Sequence, residues 1–235
     1  MEIEHTIVIG AGPCGLSCAI ELQKRGIKPL IIEKAGIVHT IYRFPTHQTF
    51  FSTSSKLEIG EIPFVTANWK PVRKEALAYY REVAKREDLR INTFETVEDV
   101  QKENALFTVR TVTGKGEEKF YKAKHIVVAT GYYDQPKKLN VPGEELPKVM
   151  HFFKEAHPYY NKDIVIIGGR NSAVDTALEL YKANANITVL YRGNQYSPSI
   201  KPWVLPDFES LVNKDRIRIE FCAEVTKITN DNVYY

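Results

Sequence analysis

The chain has 235 residues, enough to bury a sizeable core in one large domain or two modest ones. Hydrophobic residues make up 43% and charged residues 26% of the sequence, as in an ordinary globular protein. The net charge is only +3, and basic residues are interleaved with acidic ones, which argues against nucleic-acid binding. No apolar stretch approaches the ~20 residues that a membrane helix needs.

The N-terminus is acidic and leads directly into a predicted strand, so we expect no signal peptide. The three cysteines lack C-x-x-C spacing, which argues against a disulfide framework and against a structural zinc site. These features predict a cytoplasmic protein without a bound metal. The sequence leaves the oligomeric state open, with a homo-oligomer among the choices.

The first elements form a predicted βαβ unit. Thr6–Ile9 is a short apolar run typical of a buried parallel strand, and a helical pattern follows from Pro13 to a capping glycine at Gly26. Pro29–Glu33 is the second strand of the unit.

The middle of the chain contains a long segment without sustained periodicity, residues 39–68, which we interpret as a functional loop. A helix is predicted for Pro71–Lys85, from an apolar face at helical spacing. Leu106–Val112 and Lys119–Tyr121 predict a small antiparallel meander, and Ile126–Ala129 a separate apolar strand.

A second βαβ unit follows, with strands at Asp163–Ile167 and Ile187–Tyr191 and a helix at Ser172–Lys182 between them. The repeated pattern predicts an α/β fold with two Rossmann-like dinucleotide-binding domains, each three-layered with a mostly parallel sheet. We place these domains at residues 1–136 and 137–235 and expect the second to be incomplete.

The first glycine loop reads Gly10-Ala11-Gly12-Pro13-Cys14-Gly15 and lies between a predicted strand and a predicted helix. In such a G-x-G-x-x-G loop the glycines permit a tight turn, approach to a pyrophosphate and close helix–sheet packing. The helix N-terminus adds free N–H groups and a positive dipole end. Glu33 closes the second strand, where a carboxylate accepts hydrogen bonds from ribose hydroxyls.

The second glycine loop, Gly168-Gly169-Arg170-Asn171-Ser172-Ala173, has arginine where the third position of the fingerprint calls for glycine. An arginine at this turn can itself contact phosphate, and Asn171 or Ser172 can cap the helix.

Tyr191-Arg192-Gly193 ends the following strand without a carboxylate. Arg192 would pair with a 2′-phosphate that an acidic residue would repel, so the loop predicts NADPH rather than NADH, with assistance from Lys201. The alternative is a surface arginine at a strand end.

The two loops, with Ala129-Thr130-Gly131 between them, resemble the two-dinucleotide-binding flavoprotein reductases. Within that group, three stretches look like the bacillithiol disulfide reductase family of Gram-positive bacteria: Gly12–Gly15, Phe44–Phe51 and Tyr191–Trp203. The resemblance implies FAD, NADPH and reduction of the disulfide of a low-molecular-weight thiol. Such reductases continue well beyond residue 235, so we expect this chain to be truncated at its C-terminus.

The resemblance also extends the flavin site beyond the first loop. The 39–53 loop should pass the flavin ring, where donors from His47 or Gln48 would tune its potential, although a lone histidine in a polar loop is more often exposed and idle. The further residues that we assign to the flavin site are Lys34, Val97, Ala129, Thr130 and Gly131.

Cys14 lies in the first turn of a predicted helix, where the dipole favours a thiolate. One interpretation is a single-cysteine nucleophile that attacks the substrate disulfide. The other is a small residue that fills the helix–sheet contact. Cys18 is one helical turn further on, at a spacing that does not suit a disulfide, and Cys222 is expected to be buried in the strand-like run Ile217–Phe221.

Two other functions remain open at this point. A flavin-dependent monooxygenase shares two dinucleotide loops, but the F-x-G-x-x-x-H pattern of the N-oxidising enzymes is not recognisable at Val149–Lys154. A non-catalytic nucleotide-binding or redox-sensing fragment is the second alternative.

Overall fold

The computed structural model describes residues 2–235, and the chain divides into two compact units, Met1–Gln135 and Pro136–Tyr235. Each unit contains parallel strands joined by a helical crossover. The predicted α/β class with two Rossmann-like units is therefore confirmed.

The elements of the first unit are, in chain order, β1 (Ile3–Ile9), α1 (Pro13–Gln23), β2 (Leu30–Glu33), α2 (His39–Arg43), α3 (Ser54–Leu57), α4 (Arg73–Arg86), β3 (Arg90–Thr93), β4 (Glu95–Glu103), β5 (Leu106–Thr113) and β6 (Glu118–Val128). Their strands form one sheet in the order β3-β2-β1-β6-β5-β4. The pairs β3–β2, β2–β1 and β1–β6 are parallel, whereas β4, β5 and β6 form an antiparallel meander.

Strand β6 belongs to both parts of this sheet. Its first half, up to Ala123, pairs antiparallel with β5, and residues from Lys122 to Val128 pair parallel with β1. The prediction of two separate strands, at Lys119–Tyr121 and Ile126–Ala129, was therefore wrong. The polar side chains between those two runs interrupt the apolar pattern of the sequence. The strand nevertheless continues, because its backbone pairs with a neighbouring strand on each edge.

Strand β1 contacts the core on both faces of the sheet. Val8 of β1 packs with Leu16 of α1 and Val83 of α4, whereas Ile7 of β1 packs with Val109 of the meander. Alternate residues of a strand point to opposite faces, so β1 connects a helical layer to a β-layer.

Several boundaries differ from the sequence predictions. Helix α4 begins at Arg73 rather than Pro71, and its first turn is capped by Glu75 Oε2, which accepts a hydrogen bond from Val72 N at 2.8 Å. Strands β3 and β4 were not predicted, because the charged residues of an exposed strand obscure the period-two pattern. The 39–68 segment contains only the short helices α2 and α3, in line with the predicted loop.

The elements of the second unit are a short 3₁₀ helix (His157–Tyr159), β7 (Asp163–Ile167), α5 (Asn171–Lys182), β8 (Asn186–Leu190), α6 (Leu205–Asn213), β9 (Arg218–Glu220), β10 (Lys227–Ile228) and β11 (Val233–Tyr234). Strands β7, β8 and β9 form a parallel sheet, and β10 pairs antiparallel with β11. Ala177 of α5 and Phe208 of α6 pack on Val189 of β8. Within residues 2–235, no helix is long and apolar enough to cross a membrane.

The start of α1 lies unusually close to the end of β1. A Cβ atom placed on Gly15 would be 1.9 Å from the carbonyl oxygen of Gly10 and 3.4 Å from the Cβ of Ala129. Gly10 belongs to the loop, and Ala129 belongs to the segment after β6. Close contact with these two residues therefore sets the position of the helix. Only glycine at position 15 allows this approach.

Gly15→Ala should therefore destabilise the protein, although alanine favours a helix over glycine by up to ~1 kcal/mol. A backbone clash at 1.9 Å forces the helix to move and typically costs ~1–3 kcal/mol, so sterics should outweigh propensity. Urea unfolding measures the difference. Gly114→Ala is the matched control, since its Cβ would meet no atom closer than 3.6 Å. Equal stability of the Gly15→Ala and wild-type proteins would show that α1 is free to shift.

Candidate functional site

The first glycine loop, Gly10–Gly15, follows β1 at the carboxyl end of the parallel strands. Gly10 has φ +107°, and a Cβ atom there would be 2.5 Å from Ala129 O, so the tight turn requires glycine. Gly10 N donates a hydrogen bond to Ile32 O at 2.8 Å. The turn is thus held between the ends of β2 and β6.

Helix α1 presents a favourable end for an anion. It begins at Pro13 after the N-cap residue Gly12, and its first turn contains no acidic residue. A Cβ atom placed on Gly12 would meet nothing within 4 Å, so the loop faces open space on this side. The first N–H groups of a helix have no intrahelical partner, and together with the dipole they suit a phosphate group. These residues fit the dinucleotide predicted for the loop.

Glu33 is the last residue of β2 and is buried, with 7% of its surface exposed. Its carboxylate accepts hydrogen bonds from Ala11 N at 2.7 Å and from Ala35 N at 3.0 Å. The side chain therefore holds the glycine loop itself. A carboxylate has about four acceptor positions, so the predicted contact with ribose hydroxyls is compatible with these bonds.

The Ala129-Thr130-Gly131 segment lies directly beside the first loop. Ala129 N donates to Ile9 O at 2.8 Å, continuing the pairing of β6 with β1. Thr130 and Gly131 are exposed, and Gly131 has φ +68°. The structure thus brings the A-T-G segment to the carboxyl end of β1, as expected for a residue group assigned to the same site.

Lys34, assigned to the flavin site, forms an ion pair with Asp134. The same carboxylate also pairs with Arg43 at the end of α2. The hydrogen bond from Lys34, followed by the positive charges of Lys34 and Arg43, holds the pKa of Asp134 below its usual range. The sequence analysis missed Asp134, because no local pattern links residues about a hundred positions apart.

The other assigned residues of the first unit lie in different surroundings. His47 and Gln48 are half-buried in the turn after α2. Gln48 Nε2 donates to Thr49 O at 2.7 Å, and Gln48 O accepts from Arg73 N at 2.8 Å, which ties this turn to α4. Val97 lies on β4 and packs against the apolar cluster between the sheet and the meander. Their roles toward a flavin stay predictions.

The three cysteines are free and differ in exposure. Cys14 is exposed in the first turn of α1, so the interpretation that it fills the helix–sheet contact is wrong; Gly15 makes that contact. Cys18 is half-buried, and burial raises the pKa of its thiol. Cys222 is exposed with φ +54°, which corrects the prediction that it is buried. β9 ends at Glu220, two residues before this cysteine, so the position lies in the following turn.

The second glycine loop repeats the geometry of the first. Gly168 has φ +134° and donates its N–H to Leu190 O at 2.9 Å, as Gly10 does to Ile32 O. Arg170 is the N-cap residue of α5, with an extended backbone and an exposed side chain. The first turn of this helix also contains no acidic residue, so it too fits a phosphate.

The predicted capping of α5 by Asn171 or Ser172 was wrong, since no side chain caps this helix. Asn171 instead holds a neighbouring segment: its Nδ2 donates to Ser199 O and its Oδ1 accepts from Lys201 N, both at 2.8 Å. Lys201 Nζ forms an ion pair with Asp175 Oδ2 at 2.7 Å. Asn171 and Lys201 thus come together, but their side chains bind protein groups.

Arg192 lies on the turn after β8 and is exposed. Its guanidinium forms no hydrogen bond or ion pair with any other side chain of residues 2–235. The cation is therefore available to a ligand at the edge of the second loop. Of the described residues, no group of three or more His, Cys, Asp or Glu side chains is arranged to hold a metal ion.

Two glycine loops, each between a parallel strand and a helix N-terminus, define a two-dinucleotide oxidoreductase. A family model described as "Pyridine nucleotide-disulphide oxidoreductase" matches residues 7–235. The chain belongs to this family, and is therefore an enzyme of the disulfide reductase type that uses a flavin and a pyridine nucleotide.

The similarity to particular members is high. The bacilliredoxin reductase Bdr of Bacillus subtilis (strain 168) is 57% identical over 233 residues, which are 99% of this chain and 70% of that protein. The structure of bacillithiol disulfide reductase Bdr (YpdA) from Bacillus cereus has 60% identity and a TM-score of 0.95, covering 97% of this chain and 70% of the other. Its counterpart from Staphylococcus aureus has 56% identity and a TM-score of 0.95, covering 99% and 71%. Within the family, the chain groups with these Bdr proteins.

Gly12→Val should abolish flavin binding without unfolding the protein. The backbone of Gly12 has φ −74°, and an added Cβ atom would meet no protein atom within 4 Å, so we expect valine to be accommodated in the free chain. The same side chain would project into the space proposed for a pyrophosphate. We expect a folded protein with little yellow colour, measured as flavin absorbance per chain beside circular dichroism. Full flavin content in this variant would contradict the loop assignment.

Proposed function

We propose that the chain binds FAD at Gly10–Gly15 and NADPH at Gly168–Ala173, and that it reduces the disulfide of a low-molecular-weight thiol, bacillithiol disulfide. The observation that carries the proposal is the repeated strand–glycine loop–helix arrangement, in a chain similar throughout its length to two solved structures that are named for that reaction. The three free cysteines support the proposal of a reducing, cytoplasmic setting.

FAD is favoured over FMN because of the buried carboxylate at the end of β2. Glu33 holds Ala11 and retains acceptor capacity beside the loop, which suits the adenosine ribose that FMN lacks. The helix N-terminus of α1 suits the pyrophosphate, another group absent from FMN.

NADPH is favoured over NADH because the turn after β8 presents a cation. Arg192 is exposed without a protein partner for its side chain, and Arg170 lies at the start of α5. Both guanidinium groups can bind phosphate with paired hydrogen bonds. Lys201 is paired with Asp175, so its contribution to a 2′-phosphate would require that ion pair to open.

Arg192→Glu should reverse the nucleotide preference, mainly through a higher KM for NADPH. A charge-assisted contact with phosphate is worth ~1.5–3 kcal/mol, or roughly ten- to a hundredfold. Steady-state kinetics with NADPH and NADH measure the ratio. Arg216→Glu is the control for charge, since Arg216 is exposed just before β9, at the opposite edge of the parallel sheet. An unchanged preference in Arg192→Glu would remove the argument for NADPH.

Cys14 is proposed as the nucleophile. When bound, the flavin accepts a hydride from the nicotinamide and supplies the two electrons that reduction of a disulfide needs. The Cys14 thiolate attacks one sulfur of the substrate, forming a mixed disulfide and releasing the first thiol as its thiolate. The two electrons would then break the S–S bond of the mixed disulfide, which releases the second thiol and restores the Cys14 thiolate. The exposure of Cys14 in the first turn of α1 lets a substrate reach it.

Cys14→Ala should separate the two half-reactions. Reduction of the flavin by NADPH needs no thiol and should persist, whereas turnover of bacillithiol disulfide should fall by at least a hundredfold, as expected for loss of a nucleophile. Stopped-flow flavin absorbance and steady-state disulfide reduction measure the two steps. Cys222→Ala is the matched control, because Cys222 is equally an exposed, free cysteine. Unimpaired turnover by Cys14→Ala would rule out the single-cysteine mechanism.

The names of the similar proteins point to two different oxidised substrates. The Bacillus subtilis relative is named for a bacilliredoxin, whereas the two solved structures are named for bacillithiol disulfide. A comparison of kcat/KM for bacillithiol disulfide with that for an oxidised bacilliredoxin, at equal NADPH, decides between them. Oxygen uptake in the same assays tests for a monooxygenase.

A further inference from the structure

The residue after β8 corresponds in register to Glu33 of the first unit. Glu33 follows Ile32, whose carbonyl oxygen accepts from Gly10 N at 2.8 Å. Tyr191 follows Leu190, whose carbonyl oxygen accepts from Gly168 N at 2.9 Å. Tyr191 in the second βαβ unit thus occupies the position that Glu33 has in the first unit. Arg192 lies one residue beyond it.

The Tyr191 side chain also contacts the same position of the glycine loop as Glu33 does. Glu33 binds the N–H of Ala11, the second residue of the first loop. A Cβ atom on Gly169, the second residue of the second loop, would be 2.4 Å from Tyr191 Cγ and 2.6 Å from both Cδ atoms. These distances place the base of the ring directly on Gly169, so the second residue of this loop is contacted by a ring and not by a hydrogen-bonding carboxylate.

The far end of the same ring lies on Gly193. A Cβ atom there would be 2.4 Å from Tyr191 Cε1 and 2.7 Å from Cζ. The ring therefore extends from the glycine loop to the turn that carries Arg192. Phe221 supports it in an edge contact, with ring centroids 6.5 Å apart. The Tyr191 hydroxyl forms no hydrogen bond with residues 2–235. The contacts of this side chain with the loop and with the turn are therefore made by its ring.

We propose that Tyr191 is a positioning and specificity-determining residue of the second nucleotide site. Its ring holds the turn with Arg192 at a fixed distance from the Gly168–Arg170 loop, and it removes the negative charge that this strand position carries in the first unit. A carboxylate here would bind ribose hydroxyls and repel a 2′-phosphate. The inference rests on the proposed binding of NADPH and names a residue that acts through Arg192.

Nucleotide binding tests this role without catalysis, using 2′,5′-ADP as the probe in calorimetric titrations. Tyr191→Ala should weaken binding roughly ten- to a hundredfold, because the cation is no longer held in place. Tyr191→Phe should bind within about twofold of the wild type, since it keeps the ring. Tyr181→Ala is the matched control for loss of a tyrosine in the same unit, as Tyr181 is exposed near the end of α5. Equal binding by Tyr191→Ala and the wild type would overturn the inference.

A double-mutant cycle tests the contact between the ring and the loop. Gly169→Ala should lower the thermal midpoint and the affinity for 2′,5′-ADP, because the added Cβ meets the base of the ring. In the Gly169→Ala/Tyr191→Ala protein the clash is absent, so the midpoint should recover relative to Gly169→Ala alone. Additive losses in the double variant would show that the ring does not constrain the loop.

Tyr191→Glu tests specificity in the holoenzyme. The preference for NADPH over NADH should fall by at least tenfold, through KM with kcat nearly unchanged, whereas a general loss of structure would lower kcat for both nucleotides. An unaltered preference would contradict the specificity role. If the wild-type protein itself fails to bind 2′,5′-ADP, the proposed use of NADPH is wrong; if the wild type binds and the variants behave alike, only the role of Tyr191 fails.

Discussion

The first unit depends on one close backbone contact, between the start of α1 and the carbonyl oxygen of Gly10. Because position 15 has no side chain, the helix begins almost in contact with the end of β1. Its N-terminus is therefore fixed at the carboxyl edge of the parallel sheet, where its dipole and free N–H groups act together. Ala129 approaches the same point from the end of β6, so a segment distant in sequence also meets this loop.

The two glycine loops share a backbone geometry but differ in the side chain that contacts their second residue. In the first unit a buried carboxylate accepts a hydrogen bond from Ala11 N, which leaves room for the alanine side chain. In the second unit an aromatic ring lies against the corresponding position, and this packing permits only Gly169. The choice between a carboxylate and a ring also sets the charge beside the nucleotide. The proposed nucleotide preference would in this way be linked to loop support at a single strand position.

Helix α1 shows how position along one helix decides whether a thiol is exposed or half-buried. Cys14 is exposed in the first turn beside the positive dipole end, whereas Cys18, one turn later, is half-buried against the core. Burial raises the pKa of the Cys18 thiol and disfavours its reactive form. The spacing of four residues gives both cysteines a similar direction on the helix, so depth along the axis makes the difference. Of the two, only Cys14 has the exposure that the proposed attack on a substrate requires.

The sequence alone determined the class, the two glycine loops and their strand–helix setting, because these features depend on residues close together in the chain. Local patterns also gave Glu33 and Arg192 as strand-end residues. The tertiary structure decided what those patterns do not contain: the exposure of Cys14 and Cys222, the pairing of Lys34 with Asp134, and the ring of Tyr191 on Gly169. Each is a contact or a burial set by segments brought together only in the folded chain, and neither propensity nor spacing encodes such distances.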